Sequence, residues 1–152
     1  MTAIVARLEL IDGTGSYLTE IGTRVEDSRP NWDENELPAI SVFQGTATTE
    51  RPDDEEVEVM RKFPVMIRCV FQRDDDQATD AAFARKTISD IYRAIRVDRT
   101  WRTTANDPTT ALAYMTREVS HGIEYVPNTF EITGTQTEIE VTYFGTNFDM
   151  EA

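Results

Sequence analysis

The chain has one cysteine, Cys69, and one histidine, His121, among 152 residues. A lone cysteine excludes an intrachain disulfide framework, and nothing in cysteine usage points to an oxidising compartment. A lone histidine restricts any Ser-His-Asp or Cys-His mechanism to a single position, and neither residue stands in a nucleophile signature. One Cys and one His also fall short of the three or four good ligands of a zinc site. Basic residues are few as well: 15 Lys and Arg stand against 28 Asp and Glu, for a net charge of −13. No basic run exceeds two residues, which argues against a binder that works by neutralising phosphates and against docking on anionic lipid. No stretch approaches the roughly 18 apolar residues of a membrane span. The first fifteen residues, broken by Arg7, Glu9 and Asp12, lack the cationic start and apolar block of a secretory signal. Folding in the cytoplasm is the expectation.

What is present suffices for one globular core. Hydrophobic residues make up 39% of the chain, with seven Phe, five Tyr and two Trp. The length suits a single domain spanning residues 1–152.

Periodicity sketches the elements. Ile4, Val5, Leu8 and Ile11 share a face and predict a helix over 2–11, with Gly13 as its C-terminal cap. A short extended piece is expected near 23–26, then a polar loop over 27–36 anchored by Trp32. Residues 37–43 have strand composition behind Pro38. Residues 50–56 read as an acidic loop. Phe63, Val65, Ile67, Cys69 and Phe71 alternate with Pro64, Met66, Arg68, Val70 and Gln72, predicting a strand whose first set faces the core. Ala81, Ala84, Ile88, Ile91, Tyr92 and Ile95 trace a helical stripe over about 77–96. Asp74, Asp75 and Asp76 before it, and Arg93 and Arg96 near its end, complement the helix dipole. Residues 112–126 predict a strand with Met115, Val119, Ile123 and Tyr125 in register, which places Arg117 and His121 on one side. Residues 130–144 predict its antiparallel partner, interrupted near Gly134, with a turn at Pro127-Asn128. The fold class is therefore α+β, a mainly antiparallel sheet with two principal helices packed on one face.

Several local patterns invite chemistry and fall short of it. Asp12-Gly13-Thr14-Gly15 has Leu18 where a dinucleotide loop needs a third glycine, follows a helix rather than a strand, and lacks Gly-Lys-Ser/Thr. Asp74 to Asp76 with Asp80 lack the calcium-loop spacing. Glu50 to Glu58 holds six acids in nine residues: Glu50, Asp53, Asp54, Glu55, Glu56 and Glu58. Such a run is either a solvated loop or an electrostatic surface for a partner or a pore. Trp101, between Arg99 and Arg102, is either a lid on the core or an interface anchor. No catalytic, metal or cofactor-binding set is expected.

Taken in order, the segments Ile11-Asp-Gly-Thr-Gly-Ser-Tyr-Leu-Thr-Glu-Ile-Gly22, Leu37-Pro-Ala-Ile-Ser-Val-Phe43, Phe63-Pro-Val-Met-Ile-Arg68, Ile88-Ser-Asp-Ile-Tyr-Arg-Ala-Ile95, Asp98-Arg-Thr-Trp101 and Gly134-Thr-Gln-Thr-Glu-Ile-Glu-Val-Thr-Tyr143 resemble the tail terminator proteins of long-tailed bacteriophages. These are also known as tail completion or minor tail protein U-like subunits. The likeness spans most of residues 4–144. It implies a structural virion subunit without enzymatic activity that closes into a homo-hexameric ring, caps the tail tube and ends its growth. The tail tube protein and a head–tail connector or neck protein would be its partners, with DNA passing through the lumen without specific binding, and the host cytoplasm its place of assembly. Asp53, Asp54, Glu55, Glu56 and Glu58 would then face the lumen or a partner. A head-closure neck protein is the nearest competing expectation, and a small α+β binding module a more distant one. An enzyme working through carboxylates alone is the weakest, because no pair stands out.

Overall fold

Alternation from Phe63 to Gln72 builds the strand around which everything else is arranged. The computed structural model describes residues 1–50, 58–72, 77–102, 111–125 and 132–146. In chain order the elements are α1 (Thr2–Leu8), β1 (Val25–Asp27), β2 (Ala39–Gln44), β3 (Thr48–Glu50), β4 (Glu58–Gln72), α2 (Gln77–Val97), β5 (Met115–Tyr125) and β6 (Ile132–Thr146). β4 pairs antiparallel with β6 along its whole length, from Glu58 opposite Thr146 to Gln72 opposite Ile132. Its other side pairs antiparallel with β2 and then β3. β1 joins β2 in parallel, and β5 joins β6 antiparallel, so the sheet runs β1-β2-β4-β6-β5 with β3 beside β4. The fold is α+β with a mostly antiparallel sheet.

Pro64 occupies a central strand, where a missing N–H ordinarily breaks a ladder. The N–H and C=O of one antiparallel residue point to the same neighbour. The Pro64 carbonyl accepts from the Gly45 N–H at 2.8 Å, so its nitrogen also faces the gap between β2 and β3, where no donor is needed. Gly45 is required there, because a Cβ would stand 2.6 Å from Pro64 Cγ.

Val65, Ile67, Cys69 and Phe71 are buried on the face that meets the helices, as the alternation predicts. Ile139 and Val141 of β6 continue that face, with Ala84, Ile91, Ala94 and Ile95 of α2 and Ile4 and Leu8 of α1 packed over it. Each fully buried Ile or Leu contributes roughly 1.5–3 kcal/mol relative to exposure. Phe71 and Phe83 lock α2 to β4, ring edge to face at 4.7 Å. The opposite face is partly covered by the loop after β1. Trp32 donates its indole N–H to Ser41 Oγ at 2.7 Å, and the Arg29 guanidinium stacks 4.0 Å from the Trp32 ring. Arg29 also bridges Glu26 at 2.9 Å and Glu36 at 2.5 Å, so Trp32 anchors this loop as expected.

Four details differ from the sequence reading. α1 stops at Leu8, because the next N–H groups tighten into i→i−3 bonds, Leu10 to Arg7 and Ile11 to Leu8. Gly13, at φ 75°, therefore serves a turn beyond the helix and not its cap. A short strand, β3, forms where only loop was expected, and β6 runs through Gly134 without interruption. The fourth concerns β5. A bulge between Glu118 and Ser120 inserts Val119 as an extra residue. One extra residue exchanges the two faces beyond it. Arg117 pairs opposite Glu140, whereas His121 pairs opposite Thr137 on the helix side, so the two do not share a side. Met115, Val119 and Ile123 likewise form no common apolar row, and all three are exposed. The expected capping by Asp74–Asp76 and the turn at Pro127-Asn128 lie outside the described residues.

Candidate functional site

The two nucleophile-type groups lie apart. Cys69 is buried in β4, and burial pushes its thiol up to about 12. His121 sits on β5, with all of β6 between them, so two strand spacings, about 10 Å, separate the backbones. His121 Nδ1 lies 2.8 Å from the Tyr92 hydroxyl, and the rings meet edge to face at 5.4 Å. Burial first, then the Glu118 charge, raises the Tyr92 phenol above its ordinary value against a smaller opposing effect of Arg96. The Tyr92 hydroxyl also lies 3.4 Å from the Ser120 carbonyl, which it can reach as a donor, so it ties α2 to β5 in either imidazole tautomer. The histidine braces the edge strand against α2. Beside it Arg96 grips Glu118 with two bonds, of 2.7 and 2.8 Å, and this Arg96 hydrogen bond is the main cause holding the Glu118 carboxyl below its usual range.

The Asp12–Gly15 turn is engaged with itself. Asp12 accepts from the Thr14 hydroxyl at 2.7 Å and the Thr14 N–H at 2.9 Å, and these bonds lower its carboxyl. A turn that presents a carboxylate and ties up its own N–H is no cradle for phosphate. Among the described residues no group of three His, Cys, Asp or Glu could hold a metal ion. The cavity walled by Leu37, Phe71, Asp80 and Phe83 holds about 260 Å³, below the usual size of a small-molecule site.

Two polar knots, one buried and one part-buried, went unseen in the sequence. Asp90 is fully buried on α2. Its Oδ2 accepts from the Leu18 N–H and the Thr19 hydroxyl, both at 2.8 Å, and its Oδ1 from Arg93 at 3.2 Å. Arg93 also donates to the Ser16 carbonyl, so one ion pair fastens the 16–19 segment to the helix. The signal was available: Asp90 stands four residues before Ala94 and three after Thr87, in phase with the buried stripe. The second knot is Asp98, which accepts from the Thr100 hydroxyl and N–H and from the Arg102 N–H and guanidinium. Burial is the largest single influence and opposes ionisation. These hydrogen bonds together outweigh it and hold the carboxyl well below the usual range.

That knot sets Trp101. Its φ of 52° is left-handed, a conformation that costs a bulky residue of order 1–3 kcal/mol. The ring is 3% exposed and donates to Thr116 Oγ1 at 2.6 Å. Of the two expectations for Trp101 the placement is that of a core lid, so a partner would meet its neighbours and not its ring. Asp53, Asp54, Glu55 and Glu56 lie outside the described residues. Glu58 opens β4 opposite Thr146, its side chain again outside them.

Most of the exposed large apolar residues lie on or near the β5 side. β5 is an eleven-residue edge strand, with Met115, Val119 and Ile123 exposed along it. The segment leading into it, residues 111–114, borders two adjacent cavities. One, of about 510 Å³, is walled by Arg96, Asp98, Arg99, Arg102 and Tyr114; the other, of about 460 Å³, by Arg7, Leu10, Trp101, Arg102 and Leu112.

Comparison of the chain with family models and with curated proteins finds no match. The described helices include none long and apolar enough to cross a membrane. What the geometry offers is surface: a long open strand edge beside an arginine-walled apolar hollow.

Proposed function

We propose that the chain is a structural subunit of a long-tailed bacteriophage that assembles into a ring, caps the tail tube and forms the tail side of the head–tail junction. The observation that carries this reading is the open edge of β5. Its outward backbone groups have no strand partner among the described residues, and exposed Met115, Val119 and Ile123 lie along it. An uncovered edge of this length is a template for pairing, and closure into a ring covers every such edge at once. The order and texture of the segments that resemble tail terminators support the same reading, as does the α+β fold that the resemblance implies. A net charge of −13 suits a conduit whose wall should not retain DNA. The acidic stretch at Asp53–Glu56 serves the assembly, either along the DNA path or against another copy.

Electron microscopy of the purified protein, alone and mixed with tail tubes, tests this. Rings, free or seated on tube ends, are expected. Protein that leaves the tubes bare and binds DNA-filled heads instead would move it to the head side of the junction. Particles that stay single and bind neither would overturn the reading.

A further inference from the structure

Six of the large apolar side chains that remain exposed lie in or beside one short segment, residues 111–115. Leu112, Tyr114 and Met115 belong to it; Tyr114 packs edge to face on Phe144 at 5.1 Å; Val97 and Leu10 wall the two cavities that the segment borders. The same two cavities are walled by four arginines, Arg7, Arg96, Arg99 and Arg102, against one acid, Asp98. Arg96 and Arg102 are engaged by Glu118 and Asp98, whereas Arg99 is half exposed and reaches Glu118 only at 3.8 Å. In a chain of net charge −13 this is a local concentration of positive charge around an apolar floor.

We infer that this surface receives the acidic Glu50–Glu58 stretch of a second copy of the chain. The inference rests on the ring reading above and names the contact that would close it. Charge complementarity selects the occupant: six acids in nine residues, with Pro52 and Val57 among them, match arginines set around Leu10, Leu112 and Tyr114. Duplex DNA fits less well, because the whole-chain charge repels it and phosphates make no use of the apolar floor. The two surfaces come from different parts of the chain, so the contact is heterologous: each copy offers one surface to each neighbour, the geometry that generates rings or filaments. It also adjoins the open edge of β5, so one neighbour covers both.

A charge swap tests it. One variant carries Arg7→Glu and Arg99→Glu; a second carries Asp53→Lys, Asp54→Lys, Glu55→Lys and Glu56→Lys. Sedimentation over a concentration series reads assembly. Each variant alone should need at least about tenfold more protein to assemble, because like charges then face each other. An equimolar mixture should recover wild-type assembly to within about threefold, since every contact in an alternating ring pairs opposite charges again. Leu112→Asp provides a second route at an exposed position that leaves the core untouched, and it should cost the same tenfold. Unchanged assembly in the arginine and Leu112 variants would overturn this contact and leave the ring reading standing. Variants that weaken assembly without recovery on mixing would place the acidic stretch against its own chain and overturn it too. Loss of duplex DNA binding in the arginine variant, with assembly intact, would assign the surface to a polyanion. A wild-type protein that stays monomeric at every concentration and on tail tubes would remove the ring reading itself.

Discussion

Asp90 holds more of the structure together than its size suggests. Its carboxylate accepts from Leu18, Thr19 and Arg93; truncating it takes the acceptor from Leu18 and Thr19 and the ion-pair partner from Arg93, which keeps the Ser16 carbonyl. Removing one member of a buried ion pair strands its partners, at about 3–5 kcal/mol. Asp90→Ala should therefore lower the unfolding free energy by about 3 kcal/mol in urea titration. Arg93→Ala, whose side chain is over a third exposed, should cost about 1 kcal/mol or less. Equal losses would show that the carboxylate is not the centre of the knot. Asp98 sets a pH dependence of definite sign. Its folded pKa lies below the unfolded value, so its contribution is fully present above about pH 4 and is lost as pH falls through the folded value. Stability followed by urea midpoint should be flat from pH 7 to about 5 and decline below about 4. Asp98→Asn should be less stable at neutral pH and lose less on acidification; a parallel decline would show that Asp98 titrates alike folded and unfolded.

At the scale of elements, legibility followed the strength of the period. β4 and α2 could be read because nine residues of period two and five turns of period 3.6 leave little ambiguity. β3 could not, since its three polar residues form a strand only by lying against β4. Asp90 and Thr87 hid inside a stripe defined by its apolar members. The Val119 bulge hid because adding one residue changes no composition and yet exchanges both faces of the strand. The bulge also marks the edge for a test. Val119 is exposed, so Val119→Lys should leave the unfolding free energy from urea titration within about 0.5 kcal/mol of wild type. A lysine on an open edge opposes pairing, so the same variant should assemble at least about tenfold less readily by sedimentation. Normal assembly by a stably folded Val119→Lys protein would exclude this edge from the contact.

On the scale of the whole molecule, the open question is whether the acids act as a general field or at a particular place, and the two predict opposite signs. As a field, a charge of −13 on every copy repels the next, and fewer carboxylates should make assembly easier. Changing Asp53→Asn, Asp54→Asn, Glu55→Gln and Glu56→Gln neutralises four carboxylates and moves the charge from −13 to −9. Repulsion alone would then raise assembly, most visibly at low salt, because the Debye length is about 30 Å at 0.01 M and about 8 Å at 0.15 M. If those four acids meet the arginine-walled surface or line the DNA path, the same variant should assemble or function worse at every ionic strength. The contact is short-ranged and screened less than the field, so wild-type assembly should improve as salt rises from 0.01 M to 0.15 M, while the neutralised variant stays below it throughout. Sedimentation across that range, with tail length and infectivity as the biological measure, separates the two. Tails of normal length and full infectivity from the neutralised variant would reduce this stretch to a solubilising charge.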